Sequence, residues 1–135
     1  MKPNKSYDEE IFKAAVMKYG ELFCKKENFR FDGIKKEHEI GRITGLYSNT
    51  RFNLEIYVGP PEWKIGFFIK ENNSIYGLID LCKINLVNKW INQHWGVGNR
   101  ETSGLGKIEW DVKVIFDLIS FIISHNIINF QHLDT

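Results

Sequence analysis

The stretch that decides the fold is residues 51–81, which read RFNLEIYVGPPEWKIGFFIKENNSIYGLIDL. Along residues 51–58, polar positions alternate with Phe52, Leu54, Ile56 and Val58. A period of two is typical of a strand that has one face on a core. Gly59-Pro60-Pro61-Glu62 then predicts a turn, because two prolines cannot donate ladder hydrogen bonds.

The alternation continues through residues 63–70 and, after a predicted hairpin turn at Glu71-Asn72-Asn73-Ser74, through residues 75–81. In the last of these strands, Ile75 and Gly77 are assigned to one face of the sheet and Tyr76 to the other. Three consecutive strands joined by short turns favour an antiparallel meander. Upstream, a charged stretch from Phe29 is expected to form an edge strand or a loop, since charge discourages further pairing, and residues 42–47 follow it.

Helices are predicted on both sides of these strands. Ser6 and Glu9 match a capping box, and apolar residues at helical spacing predict a helix from about Tyr7 to Lys25. A short helix is predicted over residues 85–95, followed by a glycine-rich surface loop over 96–106. Residues 108–125 are apolar at almost every position. Such a helix must be covered on most sides, either by the N-terminal helix or by a second chain in a homodimer.

The expected fold is therefore α+β. Residues 1–135 should form a single domain, with an antiparallel sheet of about four to five strands in a meander. The sheet should pack with an N-terminal and a long apolar C-terminal helix, plus a short helix near 85–95. A hydrophobic content of 43% in 135 residues can supply one core.

Charge and composition narrow the classes of partner. The 18 Lys and Arg residues nearly cancel the 17 Asp and Glu residues, so no strong global field favours a polyanion or a membrane surface. The N-terminal residues lack the apolar segment of a leader, which predicts a cytoplasmic protein. Cys24 and Cys82 have no CxxC spacing and are expected to be reduced.

The sequence lacks the common motifs of nucleotide binding, metal binding and nucleophilic catalysis, and each motif fails at a particular position. Gly96-Val97-Gly98-Asn99-Arg100-Glu101 resembles a dinucleotide fingerprint, but Glu101 replaces the last glycine. Gly106-Lys107 lacks the hydroxyl residue of a phosphate loop, because Ile108 follows. The four histidines have no metal-ligand spacing, and no nucleophile elbow occurs. We therefore predict no catalytic residue, no metal and no cofactor, and a protein that is not an enzyme.

Two surfaces are candidates for binding a partner. The first is a sheet face with aromatic anchors and a charged rim: Tyr57, Phe68 and Tyr76, surrounded by Arg51, Glu55, Lys64 and Lys70. The second is Trp90, His94 and Trp95 with a loop carrying Asn99, Arg100 and Glu101. Aromatic residues and arginine carry much of the energy of protein recognition. The competing interpretations are a helix covering the sheet face and core packing of the two tryptophans.

The order of elements carries a resemblance. The predicted first helix ends in Tyr19-Gly20-Glu21-Leu22-Phe23, strands centred on residues 51–57 follow, and an apolar helix ends the chain. This arrangement resembles the small immunity proteins that bacteria encode beside secreted or contact-delivered toxins. The resemblance covers most of the chain and rests on size, element order and a composition rich in Lys, Asn and Ile. It implies a protein that binds a cognate toxin domain and blocks its active site, and it transfers no residue role.

Two other classes of function stay open at this point. One is a small nucleic-acid-binding protein that uses the aromatic and basic residues of the sheet face, although Glu55, Glu62 and Asp80 are assigned to the same surface. A steep salt dependence of binding would identify it. The other is a ligand-binding or enzymatic domain, which predicts a pocket between the sheet and the C-terminal helix.

Overall fold

The computed structural model describes residues 5–59 and 64–128. Within them the strands are β1 (Arg30–Glu37), β2 (Arg42–Ser48), β3 (Asn53–Gly59), β4 (Lys64–Glu71) and β5 (Ser74–Gly77). The helices are α1 (Lys5–Glu27), α2 (Leu78–Leu81), α3 (Asn85–His94), α4 (Val97–Ser103) and α5 (Lys107–Ser124). The predicted α+β class is confirmed.

The strands form an antiparallel sheet in the order β1-β2-β3-β4-β5, which is the predicted meander. The register aligns apolar residues across the central strands: Leu54 lies opposite Ile69, and Ile56 lies opposite Phe67. Between β4 and β5 the chain reverses in two residues, with Asn72 at a φ of 54°. Asparagine tolerates this left-handed conformation better than most residues.

Helices α1 and α5 pack on one face of the sheet, which we call the core face. The Tyr47 hydroxyl of β2 donates a hydrogen bond of 2.8 Å to the Val16 carbonyl of α1. The ring of Tyr47 meets Phe116 of α5 edge-on at 5.4 Å between ring centroids. Ile56, Phe67 and Ile115 are fully buried between these layers. The opposite face of the sheet, which we call the outer face, points away from α1 and α5.

Gly20 lies where α1 packs against the buried Tyr47 of β2. A Cβ at this position would be 2.5 Å from the Tyr47 hydroxyl oxygen and 2.9 Å from its ring. Glycine normally weakens the interior of a helix by about 1 kcal/mol relative to alanine. Here its missing side chain makes room for the buried tyrosine.

Helix α5 lies at the centre of the helical layer. It contacts α1, β4, α3 and α4, and its buried side chains run from Trp110 to Ile122. The cover that its apolar sequence required is therefore provided by the chain's own elements. No helix in the described ranges is long and apolar enough to cross a membrane.

Several local predictions are wrong. The strand predicted to reach Leu81 ends at Gly77, and α2 follows, because the Asp80 carboxylate accepts a hydrogen bond of 3.1 Å from the Gly77 amide and starts a helical turn. The predicted loop over residues 96–106 contains α4. Helix α1 includes Lys5, so Ser6 lies inside it rather than at its cap. The predicted turn over residues 59–62 falls mostly outside the described residues, as does Trp63.

Candidate protein-binding surface

The outer face is built by every second residue of β2 to β5. Because side chains alternate along a strand, the register that buries Ile56 and Phe67 turns their neighbours outward. Neighbouring residues of one strand therefore serve different surfaces: Phe67 is fully buried, whereas Phe68 is half-buried on the outer face. The main outer-face side chains are Arg42, Glu55, Tyr57, Lys64, Phe68, Lys70 and Ile75.

Two aromatic rings form the centre of the outer face. Tyr57 and Phe68 are stacked, with 5.2 Å between ring centroids and 20° between ring planes. Each ring also lies beside a glycine that is its register partner on the next strand, Gly66 for Tyr57 and Gly77 for Phe68. A Cβ on Gly66 would be 2.5 Å from the Tyr57 hydroxyl oxygen, and one on Gly77 would be 3.2 Å from the Phe68 ring. The two glycines thus leave the space that the rings occupy.

Arg42 extends this aromatic pair into a row across three strands. Its guanidinium carbon lies 4.5 Å from the centroid of the Tyr57 ring, a cation–π distance. Within residues 5–59 and 64–128 it makes no ion pair. Stacking therefore orders the row of Arg42, Tyr57 and Phe68. The Arg42 guanidinium can still bond to a carboxylate. Sequence reasoning missed Arg42, although its place in a strand next to Tyr57 follows from the meander.

Charged pairs flank the aromatic row. Lys70 and Glu55 form a close ion pair on the outer face, and Arg51 pairs with Glu71. Arg51 lies in the turn before β3 rather than in the strand, and the Asn49 side chain accepts hydrogen bonds from the amides of Arg51 and Phe52 at 2.9 and 2.7 Å. Partly exposed pairs of this kind contribute about 0–1 kcal/mol to stability. Their main effect is to hold charges of both signs around the rings.

The assignment of Tyr76 to this surface is wrong. Tyr76 lies opposite Ile69 on the core face, where only 8% of it is exposed. Ile75, opposite Lys70, takes its place on the outer face with 58% exposed. The sequence is sufficient to place Tyr76 correctly, because a two-residue turn at Asn72-Asn73 puts residue 75 beside residue 70.

Two residues of the second predicted surface, Trp90 and His94, lie in a row of rings with two residues that were not predicted. His94, Trp90, Phe121 and His125 form a row of rings from α3 to the end of α5, with successive centroids 4.3, 5.8 and 4.2 Å apart. Both histidine Nδ1 atoms lie about 3 Å from the backbone carbonyl four residues earlier. Because a carbonyl can only accept, each Nδ1 carries the proton in this arrangement. The sequence could have predicted both ring pairs, because the two residues of each pair are spaced i, i+4 on a helix.

Core packing explains much of this second surface. Trp90 and Trp95 are partly buried against the hydrophobic core. The Trp95 indole donates a hydrogen bond of 2.8 Å to Asp111, which Lys107 also contacts at 2.9 Å. A groove of about 200 Å³ joins Trp95 to Arg100, and another of about 380 Å³ joins Trp90 and His94 to Asn99. Glu101 is exposed on α4 and lines neither groove.

The positions of the grooves among the described residues can be compared with the predicted position of a ligand pocket, between the sheet and the C-terminal helix. The grooves lie between helices, around the turns or along the β1 edge, and one of about 170 Å³ is lined by α1 and α5. Between the sheet and α5, where a pocket was predicted, Phe67, Ile115 and Ile119 are packed with almost no exposure.

Burial is the first cause of the shifted pKa values among the described residues. Burial raises the pKa of both thiols, Cys24 and Cys82, and both cysteines are free. Burial and a hydrogen bond of 2.6 Å to Glu109 raise the pKa of Tyr19 to about 12. A raised pKa lowers the thiolate fraction and with it the reactivity of a cysteine. In the described ranges no three His, Cys, Asp or Glu side chains are grouped so that they could hold a metal ion.

Comparison with models of known protein families, with curated proteins and with solved structures found no match to this chain.

Proposed function

We propose that this protein is a protein-binding module that acts as an immunity protein: it binds the toxic domain of a cognate bacterial toxin and blocks its active site. The observation that supports this most is the outer face. Its aromatic row is held in place by stacking and by two glycines, so little side-chain entropy is lost on binding. Ordered aromatic side chains surrounded by charge are typical of the centre of a protein interface.

The size of the outer face fits a protein partner. Five strands spaced about 4.8 Å apart, four of them seven or eight residues long at about 3.3 Å per residue, give the whole sheet face a width and length of roughly 20 Å. Side chains make the accessible area larger than this flat area. A partner in a standard interface covers about 800 Å² on each side, so the outer face and the Arg51 turn beside it can together supply one half of such an interface.

The arrangement of rings and charges favours protein over nucleic acid. A base needs an aromatic face to stack on, but the Tyr57 ring already contacts Phe68 and carries the Arg42 guanidinium. The Glu55 carboxylate on the same face would repel phosphates and neutralises Lys70. A carboxylate-bearing protein surface, in contrast, can use Arg42 for a charge-assisted hydrogen bond.

The test is co-expression with the C-terminal domain of the toxin encoded beside this gene. The native chain should restore growth and co-purify with that domain. Replacing both rings, with Tyr57→Ala and Phe68→Ala together, should abolish rescue while the circular dichroism spectrum stays that of a folded protein. The matched control is Arg100→Ala with Glu101→Ala on the second surface, which should still rescue.

Two outcomes would contradict the proposal. If the folded native chain neither rescues nor binds the neighbouring domain, the immunity function is wrong. If the control variant loses rescue while the ring variant keeps it, the second surface is the interface and the outer face is not. Binding to single-stranded DNA that falls steeply with salt would support the nucleic-acid alternative instead.

A further inference from the structure

Strand β1 lies at an edge of the sheet, and its sequence matches an antiparallel copy of itself. In the described ranges β1 pairs only with β2, so one row of its backbone groups has no strand beside it. We propose that this edge pairs with β1 of a second copy of the chain, so that one sheet runs through a two-fold dimer. The proposal is independent of the toxin-binding function.

Charge is the first argument for this pairing. The outward-facing charged residues of β1 run Arg30, Asp32, Lys35, Glu37, alternating in sign. In the antiparallel pairing, Arg30 of one copy faces Glu37 of the other, and Asp32 faces Lys35. Opposite charges directly across an antiparallel pair are stabilising, and like charges are destabilising. A charged edge generally repels foreign strands, but this order of charges accepts its own copy.

The β-bulge in β1, together with the order of charges, sets the position of the two-fold axis. The register against β2 shifts between Phe31 and Gly33, so Asp32 is an extra residue. Arg30 Nε lies 2.8 Å from Asp32 and 3.1 Å from Ser48 Oγ, which places Asp32 on the outer side. With the extra residue counted in each copy, Arg30 faces Glu37 when Ile34 lies opposite Ile34 of the second copy, and Lys35 then faces the bulge that carries Asp32.

Exposed apolar side chains on the core side of β1 also support this pairing. Phe31 is 43% exposed, and Met17 of α1 beside it is 57% exposed. Both line an apolar groove of about 270 Å³ between α1 and β1. Because α1 contacts both β1 and β2, the α1 helices of the two copies would come side by side at roughly the 8–10 Å of packed helices, covering Met17.

The other edge of the sheet lacks these features. Strand β5 has four residues and leads directly into α2. Its outer side chain Ile75 is apolar, and it carries no charged residue that could set a register. A second copy is therefore expected at β1 and not at β5.

Disulfide trapping tests the two-fold axis directly. In a full-length chain with Cys24→Ala and Cys82→Ala, the substitution Ile34→Cys places the two new thiols across an antiparallel pair, within the Cα separation that a disulfide needs. Mild oxidation should give a covalent dimer. The matched control is Lys36→Cys, two residues along on the same side of the strand, which faces Phe31 of the other copy and should give no covalent dimer.

Sedimentation of the reduced, full-length protein tests the charges without a new cysteine. The native chain should form a dimer as its concentration rises. Lys35→Glu, which puts two like-charge pairs into the dimer, should weaken the dimer about tenfold. Adding Asp32→Lys should restore it. A native chain that stays monomeric throughout, or equal cross-linking of the Ile34→Cys and Lys36→Cys variants, would overturn the proposal.

Discussion

Phe67 and Phe68 are neighbours in β4 with the same side chain, yet the structure gives them different surroundings. Phe67 is fully buried on the core face between the sheet and the helices. Phe68 is half-buried on the outer face, where it stacks on Tyr57 and covers Gly77. One strand thus contributes one set of side chains to the core and the next set to the outer face, where we propose that they bind a partner.

The largest effect is expected for Phe67→Ala on the core face. Removing a fully buried phenylalanine loses transfer free energy and leaves a cavity, which costs about 3–5 kcal/mol. Urea denaturation followed by circular dichroism should show a much lower midpoint than for the native chain. A loss below about 1 kcal/mol would mean that this face is not the core.

The next effect concerns the contact between α1 and the core face. Gly20→Ala should destabilise the protein by about 1–3 kcal/mol, because the new Cβ would overlap the buried Tyr47 ring. Gly98→Ala in α4 is the control, since nothing lies within 4 Å of its Cβ position. The control should be neutral or slightly stabilising. Equal changes in the free energy of unfolding would contradict the close packing of Tyr47 on α1.

Phe68→Ala should lower the free energy of unfolding less than Phe67→Ala does, and its main effect should be on partner binding. Losing the stack and part of the buried ring area costs about 1–2 kcal/mol. The variant should remain folded, as the same denaturation curve will show. A loss as large as that of Phe67→Ala would remove the distinction between the two faces.

The smallest effect is expected for Glu55→Gln, which breaks the ion pair with Lys70. Both side chains are partly exposed, so the free energy of unfolding should change by about 0–1 kcal/mol. Added salt should shrink even this difference, because screening weakens exposed pairs. A cost above about 2 kcal/mol would show that the outer face contributes to stability as the core face does.

Much of the fold follows from periodicity. The alternation of residues 51–58 and 63–70 predicts the central strands, and the apolar run over 108–125 predicts α5. The sequence left open what covers α5, because apolarity shows that a helix is buried but not by which element. Helices α1, α3 and α4 settle that point by their contacts with α5.

The candidate site was predicted less well, for reasons that can be named. Tyr57 and Phe68 lie together as expected, since register follows from short turns. For Tyr76, alternation alone does not decide which face it lies on, whereas the two-residue turn at Asn72-Asn73 places it opposite Ile69 on the core face. Arg42 was missed because its contact with Tyr57 is made across strands and has no local pattern.

The most direct test of the proposed function is to measure how tightly the native chain and Phe68→Ala bind the toxic domain of a toxin encoded beside this gene, the partner that we propose. Isothermal titration calorimetry at one ionic strength would suit both proteins. We predict tight binding by the native chain and at least about 30-fold weaker binding by the variant, as for a central interface residue worth about 2 kcal/mol or more. Equal affinities of the two folded proteins would contradict the account.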